Sequence, residues 1–125
     1  MSSTPGLILF AHGARDPRWA APFEAVLARV RAARPGADVR LAFLELMTPD
    51  LPTAIDELQA AGCRTIEVMP MFLGTGGHLR RDLPALLVQV RERHPALTIT
   101  LHAAVGEQPD VIEAMAQAAA ATLRA

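Results

Sequence analysis

Four short apolar runs alternate along the chain with segments whose apolar residues recur at helical spacing. "LILFAH" (7–12), "DVRLAFLEL" (38–46), "RTIEVMPMF" (64–72) and "LTITLHAAV" (97–105) are dense in β-branched and aliphatic residues, as strands buried on both faces are. Between them Phe23, Val26, Leu27 and Val30 lie three or four apart, as do Leu51, Ile55 and Leu58, and Leu83, Leu86, Leu87 and Val90. Those spacings put each set on one face of a helix. Start signals precede each set: Asp16-Pro17, Thr48-Pro49 and Asp82, with an alanine-rich helix expected from about Pro109. "RPG" (34–36), Gly62 and Pro95 supply the stops.

The order is βαβαβαβα. Alternation of this kind predicts an α/β fold with a four-stranded parallel sheet and helices on both faces. Ligands of such sheets bind beyond the carboxyl ends of the strands, so His12, Glu45 and the glycine loop "GTGGH" (74–78) fall on the edge to inspect. At an offset of sixty residues Val30-Arg31 matches Val90-Arg91, Pro35 matches Pro95, Val39 and Leu41 match Ile99 and Leu101, and Pro49-Asp50 matches Pro109-Asp110. The expected organisation is one domain over 1–125 with a weak internal repeat, about 7–62 and 64–124.

Composition narrows the function. A length of 125 residues suits one domain. Twelve basic against thirteen acidic residues give a net charge of −1, without the basic excess of a nucleic-acid binder. All twelve basic residues are arginine, which excludes lysine Schiff-base chemistry. Cys63 is the only cysteine, and the N-terminus lacks the pattern of a signal peptide, so a reducing, cytoplasmic setting is expected. No apolar run is long enough to span a bilayer. "GTGGH" lacks the lysine and hydroxyl of a P-loop, the first strand ends in "HGARD" where a dinucleotide fold carries G-x-G-x-x-G, and both serines lie at positions 2 and 3.

What remains is imidazole, carboxylate and guanidinium. Gly13 turns the chain sharply after His12, and Glu45 places a carboxylate at the end of an otherwise apolar strand. Two imidazoles, His12 and His78, with Glu45 would make an open site for a divalent transition metal. The structural alternatives are a core histidine held by a carbonyl and a glutamate paired with an arginine. His94, at a helix C-terminus, and His102, within the last strand, read as structural. Arg15, Arg18, Arg80 and Arg81 flank the same edge, and Trp19, Met47, Phe72 and Leu73 lie close to it. A flat ligand, apolar in the middle with acids around its rim, suits that lining.

"FAHGARDP", "FLEL" and "MPMFLGTGGHLRRDLP" together resemble the small sirohydrochlorin chelatases, the short class II chelatases, over nearly the whole chain. The resemblance implies a flavodoxin-like chelatase fold and insertion of a divalent metal into a tetrapyrrole, Co²⁺ or Fe²⁺ with Ni²⁺ a further candidate. It implies that His12 and His78 bind the metal, that His12 also takes protons, and that Glu45 assists in either role. Arg15, Glu45, Met47, Phe72, Leu73, Gly74, Thr75, Gly76, Gly77 and Arg80 would meet the substrate. No cofactor beyond the substrate metal is implied. The expected partners are sirohydrochlorin, the metal and a second copy in a homodimer, with neither nucleic acid nor membrane. The competing reading is a metal or tetrapyrrole carrier that uses the same two histidines without turnover.

Overall fold

The computed structural model describes residues 3–74 and 76–124, with the side chains of 77–80 outside that description. Four parallel strands form one sheet: β1 (Gly6–Ala11), β2 (Asp38–Phe43), β3 (Thr65–Pro70) and β4 (Thr98–Leu101), in the order β2-β1-β3-β4. Ile8 pairs with Arg40 on one side and Val68 on the other, and Ile66 with Ile99. The chain thus reverses its direction of travel across the sheet between β1 and β3. Ligands of open parallel sheets bind at that reversal, and the loop after β1 and the glycine loop after β3 flank it.

Four helices follow the strands: α1 (Ala21–Ala33), α2 (Leu51–Ala60), α3 (Gly77–Arg93) and α4 (Pro109–Ala120). Leu51, Ala54, Ile55 and Leu58 of α2 and Leu83, Leu87 and Val90 of α3 are buried against Ile8, Phe10, Ile66, Val68 and Ile99. That is the main core, on one face of the sheet. On the other face α1 presents Phe23 to a smaller cluster with Ala11, Ala20, Phe43 and Trp19.

Three boundaries differ from the sequence reading. A 3-10 turn, Pro17–Ala20, capped by Asp16, intervenes before α1. The cap of α2 is Asp50 rather than Thr48, since the Asp50 carboxylate accepts from the Thr53 N–H at 2.9 Å and Leu51-Pro52 open the helix. The largest difference is α3, which begins at Gly77 instead of after Asp82 and carries Pro84 inside it. Proline lacks the N–H of one helical bond and crowds the preceding turn, so in sequence it marks a helix start. Here the helix continues back past it, and position 78 belongs to the first turn of α3, not to a free loop.

Candidate functional site

The β2–α2 connection is built around a tight turn. The Met47 N–H donates to the Glu45 carbonyl at 2.8 Å across Leu46, whose φ of 65° is the one positive value among the described non-glycine residues. This is a γ-turn, a strained conformation for a leucine, and strain of this kind collects at functional sites. It holds Glu45 beside the loop after β1. The Glu45 N–H donates to the His12 carbonyl at 3.1 Å, and the His12 and Glu45 side chains meet at 3.2 Å, Nε2 to Oε1. Gly13 makes this approach feasible. Its φ is +97°, and a Cβ there would collide with the Glu45 carbonyl oxygen.

Both side chains stand in the open, His12 at 48% and Glu45 at 56% exposure. His12 is therefore not a core histidine. Glu45 lies two residues beyond β2, so it does not pay the burial cost expected of a strand carboxylate, and its partner is His12 rather than an arginine. The ring of Phe72 meets His12 edge to face, with centroids 6.1 Å apart, and stacks similarly on Phe10. An imidazole so backed is fixed in orientation. With Glu45 ionised, Nε2 carries the proton and donates, which leaves the Nδ1 lone pair for a metal or a proton.

The remaining expected residues separate into groups. Arg15 and Met47 line a hollow of about 360 Å³ together with Leu46 and Thr48. Leu46, Met47 and Thr48 also line an adjoining hollow of about 580 Å³ that includes Glu45. Leu73 is exposed, while Phe72, at 7%, supports His12 and offers little surface to a ligand. The Gly106 N–H donates to the Phe72 carbonyl at 2.9 Å, and a Cβ at Gly106 would strike the Leu73 backbone, so the base of the glycine loop is clamped from the β4 side. Gly74 and Gly76 have no neighbour within 4 Å of an added Cβ. Gly76 caps α3 and Gly77 opens it. Thr75 and the side chains of His78 and Arg80 lie outside the described residues.

Two histidines have other partners. His94 is buried at the end of α3, its ring nitrogens 2.6 Å from Gln59 Oε1 and 2.6 Å from Asp56 Oδ1, both on α2. It joins two helices. His102 is exposed just after β4, not partly buried within it, and meets Glu67 at 3.0 Å. Arg18 pairs with Asp16 at 2.8 Å in solvent. Among the described residues no set of three histidine, cysteine or acidic side chains converges to hold a metal, so His12 and Glu45 form a pair. Leu46 was not legible beforehand, because nothing in a leucine's neighbours announces a positive φ.

The family model CbiX matches residues 6–122. The chain belongs to the CbiX family. Among curated relatives, a sirohydrochlorin cobaltochelatase from Saccharolobus solfataricus is 34% identical over 85 residues, 66% of this chain and 62% of its own length. A sirohydrochlorin ferrochelatase from Bacillus subtilis is 31% identical over 75 residues, 60% of this chain and 29% of its own. The matches thus span less than two thirds of those relatives. In structure, a CbiX protein from Marinobacter aquaeolei VT8 superposes with a TM-score of 0.85 at 30% identity, covering 94% of this chain and 96% of that one. SirB from Bacillus subtilis, solved with Fe³⁺, gives 0.77 at 25% identity, covering 91% of this chain but 45% of SirB. These neighbours share the four-stranded parallel α/β fold.

Proposed function

We propose that this chain is a sirohydrochlorin chelatase that inserts a divalent metal, Co²⁺ or Fe²⁺, with release of two pyrrole protons. The metal is a substrate, and no other cofactor is needed. The observation that carries the reading is the His12–Glu45 pair, open to solvent and braced by Phe72 at the sheet edge of a CbiX chain. Metallation needs a ligand that holds the ion loosely and a group that takes protons near neutral pH. A neutral imidazole does both, and a carboxylate hydrogen-bonded to it fixes its tautomer and accepts the second proton. His78, supplied by the "GGH" motif, is the second metal ligand in this reading.

Other features support the substrate. A Cβ added at Gly74 or Gly76 would meet nothing within 4 Å among the described residues, so the bare loop suits a large flat ligand lying against it. α3 opens at Gly77 with no side-chain cap from Gly76, and the backbone N–H groups of such a helix N-terminus suit the acid arms of a tetrapyrrole. Arg15 lines the hollow beside Leu46 and Met47 and in this reading pairs with such an arm; Arg80 is a second candidate from the motif. The active form in this reading is a homodimer. Cys63 is free and buried, as a reducing cytoplasm permits, and among the described residues no helix is long and apolar enough to cross a membrane.

An anaerobic spectrophotometric assay tests the proposal, with sirohydrochlorin and Co²⁺ or Fe²⁺ in turn against His12→Ala. Metal-dependent loss of the free tetrapyrrole spectrum well above the variant's rate is the expected result, and the faster metal assigns cobalamin or sirohaem synthesis. Equal, slow metallation by both proteins would make the chain a carrier.

A further inference from the structure

Two large apolar side chains stand exposed at the carboxyl edge of the sheet, Leu46 at 58% and Leu73 at 71%. A single exposed leucine on a protein surface is ordinary. These two are set apart by where they stand and by how they are held. Leu46 follows the end of β2 by three residues, and Leu73 follows the end of β3 by three. β1, which ends just before His12, lies between those strands. The strand ends are level, Ala11 pairing with Phe43 on one side and Phe10 with Pro70 on the other. The two leucines therefore bracket the loop that carries His12.

Each leucine is held by a neighbouring loop. At the base of the β2–α2 connection the Leu44 N–H donates to the Ala11 carbonyl at 2.9 Å, and the Phe43 N–H closes the connection onto the Pro49 carbonyl at 2.9 Å. At its tip the chain turns through Leu46 at φ 65°. Glycine or asparagine takes a positive φ at less cost than leucine. A leucine there combines a strained backbone with exposed apolar surface, and such strain gathers at ligand clamps. On the other side a Cβ at Gly106 would strike the Leu73 backbone, so that close approach fixes the second leucine. Phe72 turns inward to brace His12 while Leu73 turns out.

We infer that Leu46 and Leu73 bear the apolar face of the tetrapyrrole, one on each side of His12, and centre the macrocycle on that imidazole. The inference rests on the proposed reading and gives Leu46, which neither binds metal nor moves protons, a part in substrate recognition. The span agrees, because β2 and β3 lie two strand spacings apart, roughly 10 Å, the scale of four linked pyrroles. The lining also changes from apolar to polar outward, as such a ligand does. Arg15 lines the hollow beside Leu46, and the N-terminus of α3 follows Leu73. Leucine side chains grip a ring face without competing for its nitrogens or for the metal. Leucines fixed beforehand lose little freedom on binding.

The test titrates metal-free sirohydrochlorin into the full chain without metal, followed by its fluorescence, beside urea unfolding and Co²⁺ binding without tetrapyrrole. Leu46→Gly accepts the positive φ, so its unfolding midpoint should equal or exceed that of wild type. Its Kd for the tetrapyrrole should rise roughly tenfold or more, as expected for losing a leucine's apolar contact, with Co²⁺ affinity unchanged. Leu73→Gly should weaken tetrapyrrole binding similarly. Leu46→Met, which keeps an apolar side chain, should bind nearly as wild type. Val88→Ser, at an apolar position of α3 that is 50% exposed, should alter none of the three quantities. Unchanged tetrapyrrole affinity in Leu46→Gly overturns the inference and leaves the chelatase reading standing. A loss that comes with a lowered unfolding midpoint, with an equal loss of Co²⁺ affinity, or without recovery in Leu46→Met also overturns it, since Leu46 would then only hold the turn beside Glu45. Wild type that binds no sirohydrochlorin defeats the reading and the inference together.

Discussion

At the scale of single residues, the site depends on one close approach between two loops. Gly13→Ala has no room for its methyl group beside the Glu45 carbonyl and must also adopt a φ of +97°. It should cost at least about 2 kcal/mol in urea unfolding and separate His12 from Glu45, since strain of 1–3 kcal/mol attaches to such backbone alone. In the proposed reading, Glu45→Gln keeps the shape but loses the proton acceptor. The insertion rate should fall roughly 10²-fold or more while metal affinity changes little, and equal losses in both would remove Glu45 from proton transfer. Gly74→Ala should leave the melting temperature unchanged and, in the proposed reading, raise KM for the tetrapyrrole, because nothing among the described residues lies within 4 Å of its methyl. His12 and Glu45 were legible in the sequence because each follows an apolar run at a strand's carboxyl end. Their contact was not, since it comes from the γ-turn at Leu46, which no local pattern encodes.

At the scale of elements, caps and corners explain what was read correctly and what was not. Asp50 was passed over for Thr48 because both stand near a proline, and only the backbone shows which side chain reaches the Thr53 N–H. Hydrogen bonds from Thr53 hold the Asp50 carboxyl below its ordinary value of 3.8. The folded state therefore gains from this cap above that value, and the gain disappears as pH falls through the lowered one. Asp50→Ala should cost about 1 kcal/mol at neutral pH, and the difference from wild type should shrink under acid unfolding below about pH 4. The sixty-residue offset has a physical counterpart at the helix–strand corners. Arg31 forks the Val39 carbonyl at 3.0 and 2.7 Å, and Arg91 forks that of Ile99 at 3.2 and 2.6 Å. The two corners also end their helices alike, Arg34 at φ −133°, ψ 69° and His94 at −131°, 65°. The α3 start was misread for one reason. A proline at position 84 costs a helix little in its first turn but removes a hydrogen bond and crowds the preceding turn inside it, and sequence favours the cheaper placement.

For the molecule as a whole, the alternation of elements and the burial of their apolar faces are consequences of sequence periodicity, and the family match over residues 6–122 agrees with that reading. His94 illustrates the remainder. From its position it reads as a cation at a helix end, yet it is buried and joins α3 to Asp56 and Gln59 of α2. His94→Ala should lower stability by about 0.5–1.5 kcal/mol per hydrogen bond lost and leave the insertion rate intact. The sequence by itself determined the four strands and four helices, the parallel sheet, and the edge where chemistry collects, because periodicity and strand ends are local properties. Tertiary structure alone decided that β1 lies between β2 and β3, that Glu45 reaches His12 across thirty-three residues, and that Leu46 and Leu73 bracket the loop of His12. Those depend on which surfaces meet, and a linear pattern specifies a surface without naming its partner.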